Sequence, residues 1–441
     1  MRVRRPAFWL FAAMLVFGLI NLGGVLAPSF EQIAGALWVS IALNGALALG
    51  FWWVLSRLDL FEREPVAVRL AAFLWGAVAS IAVSMMANNS ALIVFAANMG
   101  SDWARTWGPA IAGPLNEEWF KAIGVVLLIL IVREHFHRPM DGLIYGALIG
   151  LGFQVVENVT YAVNFATINP NSDWAGALSA TIIRIAVAGP WSHPLYTAVA
   201  GLGIAYLITQ PRRPLTLRLT VAGSLFGLSM AMHALWNLPF PQDLNPLLVI
   251  SLTYGKGLII LGLFILLYSA AARREWHWFV ATMSNQPEHV ISTEELTSMR
   301  SLRSRIHARK AAQGELGKPG RALVAQLQGE LIALGESLAR VQRSSGDPEE
   351  APDVQARKRN LGAIRDELAR LRNRSSLTSP ARLCRCTRTR TIAYGRSPEN
   401  STERLSRPHS AASQRRPQRR DLTGTSCTKP DGVPASDWRR P

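Results

Sequence analysis

The chain is almost without cysteine. It has three in 441 residues, Cys384, Cys386 and Cys427, all close to its C-terminal end. Residues 1–275 therefore form no disulfide and offer no thiolate to a metal. Acidic residues are also scarce, with 30 Asp and Glu against 47 Lys and Arg, for a formal net charge of +17. Such an excess invites a nucleic-acid reading, but its position matters more than its sum. Residues 376–441 hold 14 Arg and Lys against 5 Asp and Glu. About half the excess thus lies in a tail rather than on a folded face, and no specific nucleic-acid binding is expected. Nor is there a convincing internal repeat across the two halves, which a transporter built from paired repeats would carry.

What the first 275 residues do have is apolar runs too long for the core helices of a soluble domain, with most of the Trp and Phe. Crossing about 30 Å of hydrocarbon takes about 20 helical residues. Windows near 7–27, 33–55, 66–87, 109–132, 140–163, 185–208, 218–238 and 247–270 satisfy this. The first follows Arg2, Arg4 and Arg5 as a signal peptide would. It lacks a small-x-small cleavage site, however, and reads as a retained helix. The expected fold is an all-α polytopic membrane bundle of about eight transmembrane helices over 1–275. A cytoplasmic helical region follows over 276–375, with a possible coiled coil, and a disordered Arg/Ser/Pro-rich tail over 376–441. Basic residues recur in alternate connections, among them Arg57, Arg69, Arg133, Arg138, Arg212, Arg213, Arg218, Arg273 and Arg274. Both termini are therefore expected in the cytoplasm, with the chain multi-pass in the plasma membrane and the lipid bilayer as its first partner. The sequence carries no signal of oligomeric state.

Ionisable groups inside spans cost about 2.5–3.5 kcal/mol each, so each needs a partner or a role. They are few and clustered. The fourth window holds Glu117, Glu118 and Lys121, the fifth Phe153, Glu157 and Asn158, the sixth His193, and the seventh His233 and Asn237. Counted from the expected span ends, all fall in the same outer half of the bilayer, which a shared buried site requires. Glu117 and Lys121 share a helix face at i,i+4, whereas Glu118 points about 100° away. One carboxylate can then be held by Lys121 while the other faces a water or a metal. Two imidazoles and a carboxylate with one position left open, here His193, His233 and Glu157, form the ligand set of a catalytic Zn2+ site. A further Glu then serves as general base, and Asn237 can donate to a developing oxyanion.

In this order and on successive helices, Glu117-Glu118-x-x-Lys121, Phe153-x-x-x-Glu157-Asn158, His193 and His233-x-x-x-Asn237 resemble the PrsW family of intramembrane proteases. That family is related to the CAAX protease and bacteriocin-processing (CPBP) superfamily. The acidic segment Asp59 to Pro65 resembles a loop common in the family. CAAX proteases carry Arg after the paired Glu and His in the second motif, where this chain has Lys121 and Glu157. The resemblance covers about residues 35–270. It implies a protease that cuts membrane-anchored proteins near the outer face, anti-sigma factors being the best-known substrate class. It also implies that Glu117 and Glu118 supply the water-activating base and its neighbour, with His193 and His233 at the site.

Other readings compete. The same buried groups mark ion- or proton-coupled transporters and channels, and any one of them can simply bond two helices together. A non-catalytic scaffold that recruits a partner through its extension is a third reading. His135 and His137 form an H-x-H on the opposite side, which reads as a solvated loop. Arg184 and Lys256 read as pairing or snorkelling side chains.

Overall fold

A computed structural model describes residues 4–378, apart from 60, 62–63, 134–135, 242, 344–345 and 348–349. Part of the acidic loop, His135 and the Arg-rich tail with its three cysteines lie outside the described residues. Among those described, regular structure is entirely helical: α1 (Pro6–Leu58), α2 (Val66–Leu74), α3 (Ile81–Met99), α4 (Ser101–Ile131), α5 (Pro139–Ile168), α6 (Asp173–Ile183), α7 (His193–Thr209), α8 (Leu215–Asn237), α9 (Pro246–Met283), α10 (Thr293–Ser298), α11 (Leu302–Arg343) and α12 (Pro352–Thr378).

Among the described residues five helical stretches are long and apolar enough to cross a membrane: Pro6–Leu58, Val66–Met99, Pro139–Ile168, Leu215–Asn237 and Pro246–Met283. The first holds two of the eight expected windows. At 1.5 Å per residue it is about 80 Å long, far more than one bilayer. It bends where Ile33 leaves helical geometry (φ −130°, ψ 30°), five residues after Pro28. The fourth window is α4, whose charged cluster keeps it out of a purely apolar class.

The expected sixth window, 185–208, is not one helix. α6 gives way to a π-helical turn (Arg184–Ala188) and a 3-10 turn (Gly189–Trp191), and α7 begins afresh at His193. Pro190 and Pro194 lack the N–H groups a continuous helix needs there. Irregular backbone at membrane depth survives only where protein satisfies it. Gln154 of α5 does so, donating to Gly189 O (3.4 Å) and accepting from Ser192 Oγ (2.7 Å).

α5 is the central element, buried on every side along most of its length, as an all-round apolar helix must be. Small residues fix its neighbours. A Cβ on Gly142, Gly146 or Gly150 would stand 2.2, 2.3 and 2.2 Å from the carbonyl oxygens of Gly201, Thr197 and His193 on α7. The two backbones therefore touch along three successive turns. On another face a Cβ on Gly152 would lie 2.0 Å from Phe73 O, and one on Gly76 1.8 Å from Ile149 O. Close approach through small residues is the usual way helices associate in lipid, where apolar burial supplies no drive. Its consequence here is positional, since it sets the first turn of α7, with His193, beside the α5 segment that leads to Glu157.

The start of α5 is fixed by Asp141, whose carboxylate accepts from the backbone N–H groups of His137 (2.7 Å) and Arg138 (2.8 Å). Arg138 crosses to Glu275 of α9 (2.6 Å). Beyond the bundle, α11 and α12 pack against each other through Leu327, Leu331, Leu334, Leu338, Val354 and Leu361. The same apolar cluster takes in Phe61 and, from α9, Phe279 and Met283. α11 breaks at Gly317, at φ 72°, within the Gly-Lys-Pro-Gly segment. α9 itself runs through residue 275 without interruption.

Candidate active site

Four helices bring the expected residues together. Glu117, Glu118 and Lys121 lie on α4, Glu157 on α5, His193 at the start of α7 and His233 near the end of α8, and all but Glu157 are fully buried. The Lys121 ammonium is the hub. It donates to Glu117 Oε2 (3.2 Å), Glu118 Oε1 (2.8 Å) and His193 Nδ1 (2.8 Å), over the ring of Phe153 at 4.0 Å. Sequence spacing had assigned it to one carboxylate. The structure gives it both, because a lysine can reach i−3 and i−4 at once.

The hydrogen-bond network assigns the imidazole tautomers. An ammonium only donates, so His193 Nδ1 accepts from Lys121, and its proton sits on Nε2, 3.0 Å from Glu157 Oε2. A carboxylate only accepts, so His233 Nδ1 donates to Glu118 Oε1 at 3.0 Å, which in the neutral ring leaves the lone pair on Nε2. His193 Nδ1, His233 Nε2 and Glu117 Oε2 converge: Oε2 is 3.7 Å from His193 Nδ1, which the Lys121 ammonium also reaches, and 3.9 Å from His233 Nε2. Ligand atoms of Glu117, His193 and His233 all lie within 4.8 Å of one another. The site holds three carboxylates against two cations, Lys121 and Arg184. With neutral imidazoles it is one positive charge short.

Glu157 faces outward from this point. Arg184 pairs with it, and also donates through Nε to Asn158 Oδ1 (2.8 Å). Asn158 in turn donates to Asn44 Oδ1 on α1 (2.8 Å). Arg184 is thus a pairing residue, presented by the first residue of the π turn, a common position for functional irregularities. Asn237 donates to Pro109 O (3.0 Å), docking the end of α8 on α4. Lys256 likewise donates to a backbone carbonyl, that of Leu238, over Phe240.

Several contributors escaped the sequence reading, although helical spacing marks most of them. Thr197, four residues after His193, and Ser229, four before His233, both donate to Glu118 Oε2 (3.3 and 3.1 Å). Asn88 of α3 donates to Glu117 Oε1 (3.0 Å) and lies on a face with Ser80 and Ser84 at i,i+4. Tyr196 stacks on His233 (centroids 5.1 Å, 19°), and its buried hydroxyl has no partner among the described residues.

Gly113, one turn before Glu117, lies against this cluster. A Cβ there would lie 3.1 Å from Asn237 Nδ2 and 3.5 Å from both Glu117 Oε1 and His233 Nε2, so these three polar atoms face the glycine together. Gly113→Ala is expected to press a methyl group against them. Activity should fall at least tenfold while thermal stability stays within about 1 kcal/mol, since Gly-to-Ala in a helix is intrinsically favourable. Unfolding and activity assays on one preparation check it.

These features define a polytopic helical membrane protein with a buried carboxylate, imidazole and ammonium centre assembled from four helices. Residues 64–271, which contain that centre, match the family model described as PrsW family intramembrane metalloprotease. The chain is also similar to Protease PrsW of Clostridioides difficile (strain 630), at 32% identity over 115 residues. That similarity covers 26% of this chain and 46% of the relative, so the chain spans about half the length of the curated relative it matches. No solved structure matches the chain.

Proposed function

We propose that this chain is an intramembrane endopeptidase that hydrolyses peptide bonds of membrane-anchored proteins with a water activated at the Glu117 cluster. The observation that carries this reading is the convergence of two imidazole nitrogens and a carboxylate on one buried point. The family match over the same residues supports it. Glu117, His193 and His233 would hold Zn2+. Tetrahedral zinc with bonds of about 2.0–2.1 Å separates its ligands by about 3.4 Å, so the observed 3.7 and 3.9 Å need little contraction. The missing positive charge favours a cation as well. Glu118 on His233 and Glu157 on His193 orient the rings, as carboxylates behind metal-binding histidines do. This departs from the ligand set read from the sequence, in which Glu157 binds the metal directly.

A zinc ion held there supplies Lewis acidity toward water and the scissile carbonyl. The protein supplies the rest. Glu117 Oε1, which faces Gly113, takes the proton of the attacking water and returns it to the leaving amine as the C–N bond breaks. The second N–H of Asn237 donates to the developing oxyanion. With His193 Nδ1 given to a metal, Lys121 would keep its bond to Glu118 and leave that carboxylate compensated. Anti-sigma-type single-pass proteins are the substrate class that the family resemblance suggests, and the same resemblance extends to the CAAX protease superfamily. The basic connections favour the plasma membrane with both termini in the cytoplasm.

Co-reconstitution of the full chain with a single-pass substrate in liposomes tests the reading by fragment mass spectrometry and elemental analysis. Expected are one discrete cleavage, its loss on chelation, and about one metal per chain that falls below a tenth in His193→Ala and His233→Ala. Cleavage that survives both substitutions would overturn the mechanism. An intact substrate together with a proton or ion flux in the same vesicles would favour the transporter.

A further inference from the structure

At the ends of α1 and α9 a cleft of about 720 Å3 opens between the membrane helices and the start of the extension. Arg57 in the last turn of α1, Arg273 of α9, and Arg300 and Arg303 on either side of the start of α11 all line it. Its walls include Trp53, with the Arg57 guanidinium stacked 3.8 Å from the ring, and Trp276. Tyr268 donates to Leu58 O at 2.9 Å and closes α9 onto the end of α1. Among the described residues none of the four arginines forms an ion pair, and no carboxylate lines the cleft. The nearby acid on α9, Glu275, is occupied by Arg138.

We propose that this cleft binds the phosphodiester headgroup of an anionic phospholipid. Three elements bring four guanidiniums with no ion-pair partner among the described residues onto one concave surface, where their mutual repulsion opposes folding unless an anion lies among them. Guanidinium is the group best shaped for phosphate oxygens, through paired N–H donors. Position and walls select lipid over free phosphate. The cleft begins where the apolar stretches of α1 and α9 end, its sides are indole and aliphatic surface that includes Val54, and exposed Ile265 and Leu266 precede it on α9. Basic pockets between transmembrane helices are established headgroup sites. A lipid bound here touches both the bundle and the extension, and holds Arg300 and Arg303 against the membrane helices. The inference is independent of the proteolytic reading.

Native mass spectrometry of the full chain in detergent, with equimolar phosphatidylglycerol and phosphatidylcholine of identical acyl chains, tests it. The expected result is at least a tenfold preference for phosphatidylglycerol, reduced more than fivefold in the double variant Arg300→Gln/Arg303→Gln and again in Arg57→Gln/Arg273→Gln. Inorganic phosphate at 10 mM, about a thousandfold excess over lipid, should leave the adduct in place, as the apolar walls hold the acyl part. Equal retention of both lipids by the unsubstituted protein, or an unchanged preference in both variants, would overturn the proposal. Displacement by inorganic phosphate would overturn the lipid as the occupant. Circular dichroism and unfolding of the variants identify any that has lost its fold, and the other variant then decides.

Discussion

Glu117→Gln is expected to reduce cleavage about 10^3- to 10^4-fold and to leave the fold intact. The amide keeps the size of the carboxylate and, through its oxygen, can still accept from Asn88 or Lys121, so the packing of α3 on α4 survives. What it loses is the ability to take a proton, a step worth about 10^2 to 10^4 in rate, and one anionic ligand. Glu118→Gln should behave differently. Glu118 is fully buried and accepts from Lys121, His233, Thr197 and Ser229. Neutralising it leaves the Lys121 charge less well matched, and an amide offers one acceptor oxygen where the carboxylate serves four donors with two. A loss of stability of about 2–4 kcal/mol is expected together with the loss of activity. Unfolding midpoints and cleavage rates for the two variants, measured side by side, separate the roles. Matching stability losses in both would mean that Glu117 is a structural bridge and would remove it from the chemistry.

Gly146→Leu should be the most damaging substitution outside the charged cluster. A Cβ at this position meets Thr197 O at 2.3 Å, and α5 and α7 must part by about 1 Å before even a methyl fits. Leucine adds three more carbons, and overpacking of this kind costs about 1–3 kcal/mol or more. Since parting the helices here also pulls on the next contact, Gly150 against His193 O, the bond between His193 Nε2 and Glu157 Oε2, now 3.0 Å, should break even in molecules that stay folded. Gly223→Ala on α8 is the control, because a Cβ there meets nothing within 4 Å. Thermal unfolding in detergent should show Gly146→Leu far below the parent and Gly223→Ala unchanged. A Gly146→Leu protein as stable and active as the parent would show that α5 and α7 do not pack as described.

The long apolar helices could be read directly from the sequence because burial in lipid demands about 20 apolar residues in a row, a local property. The cluster could be read for a related reason. Ionisable groups are so costly in that setting that Glu117, Glu118, Lys121, Glu157, His193 and His233 stand out singly. Neutral partners carry no such penalty. Asn88, Thr197, Ser229 and Tyr196 therefore passed as ordinary residues, although the four-residue steps from Thr197 to His193 and from Ser229 to His233 were there to be seen.

By itself, then, the sequence determined that the chain is helical and apolar enough to cross a membrane, and which of its charges had to find one another. Only the tertiary structure decided which lone pair each imidazole turns inward, that one lysine serves two carboxylates, that Glu157 faces Arg184 and not the common point, and that the helix carrying His193 is broken. Those outcomes depend on distances between helices, set by backbone contacts at Gly142, Gly146 and Gly150 and by Gln154 at the break. A one-dimensional pattern records which face a residue occupies, but not how closely the opposing face approaches it.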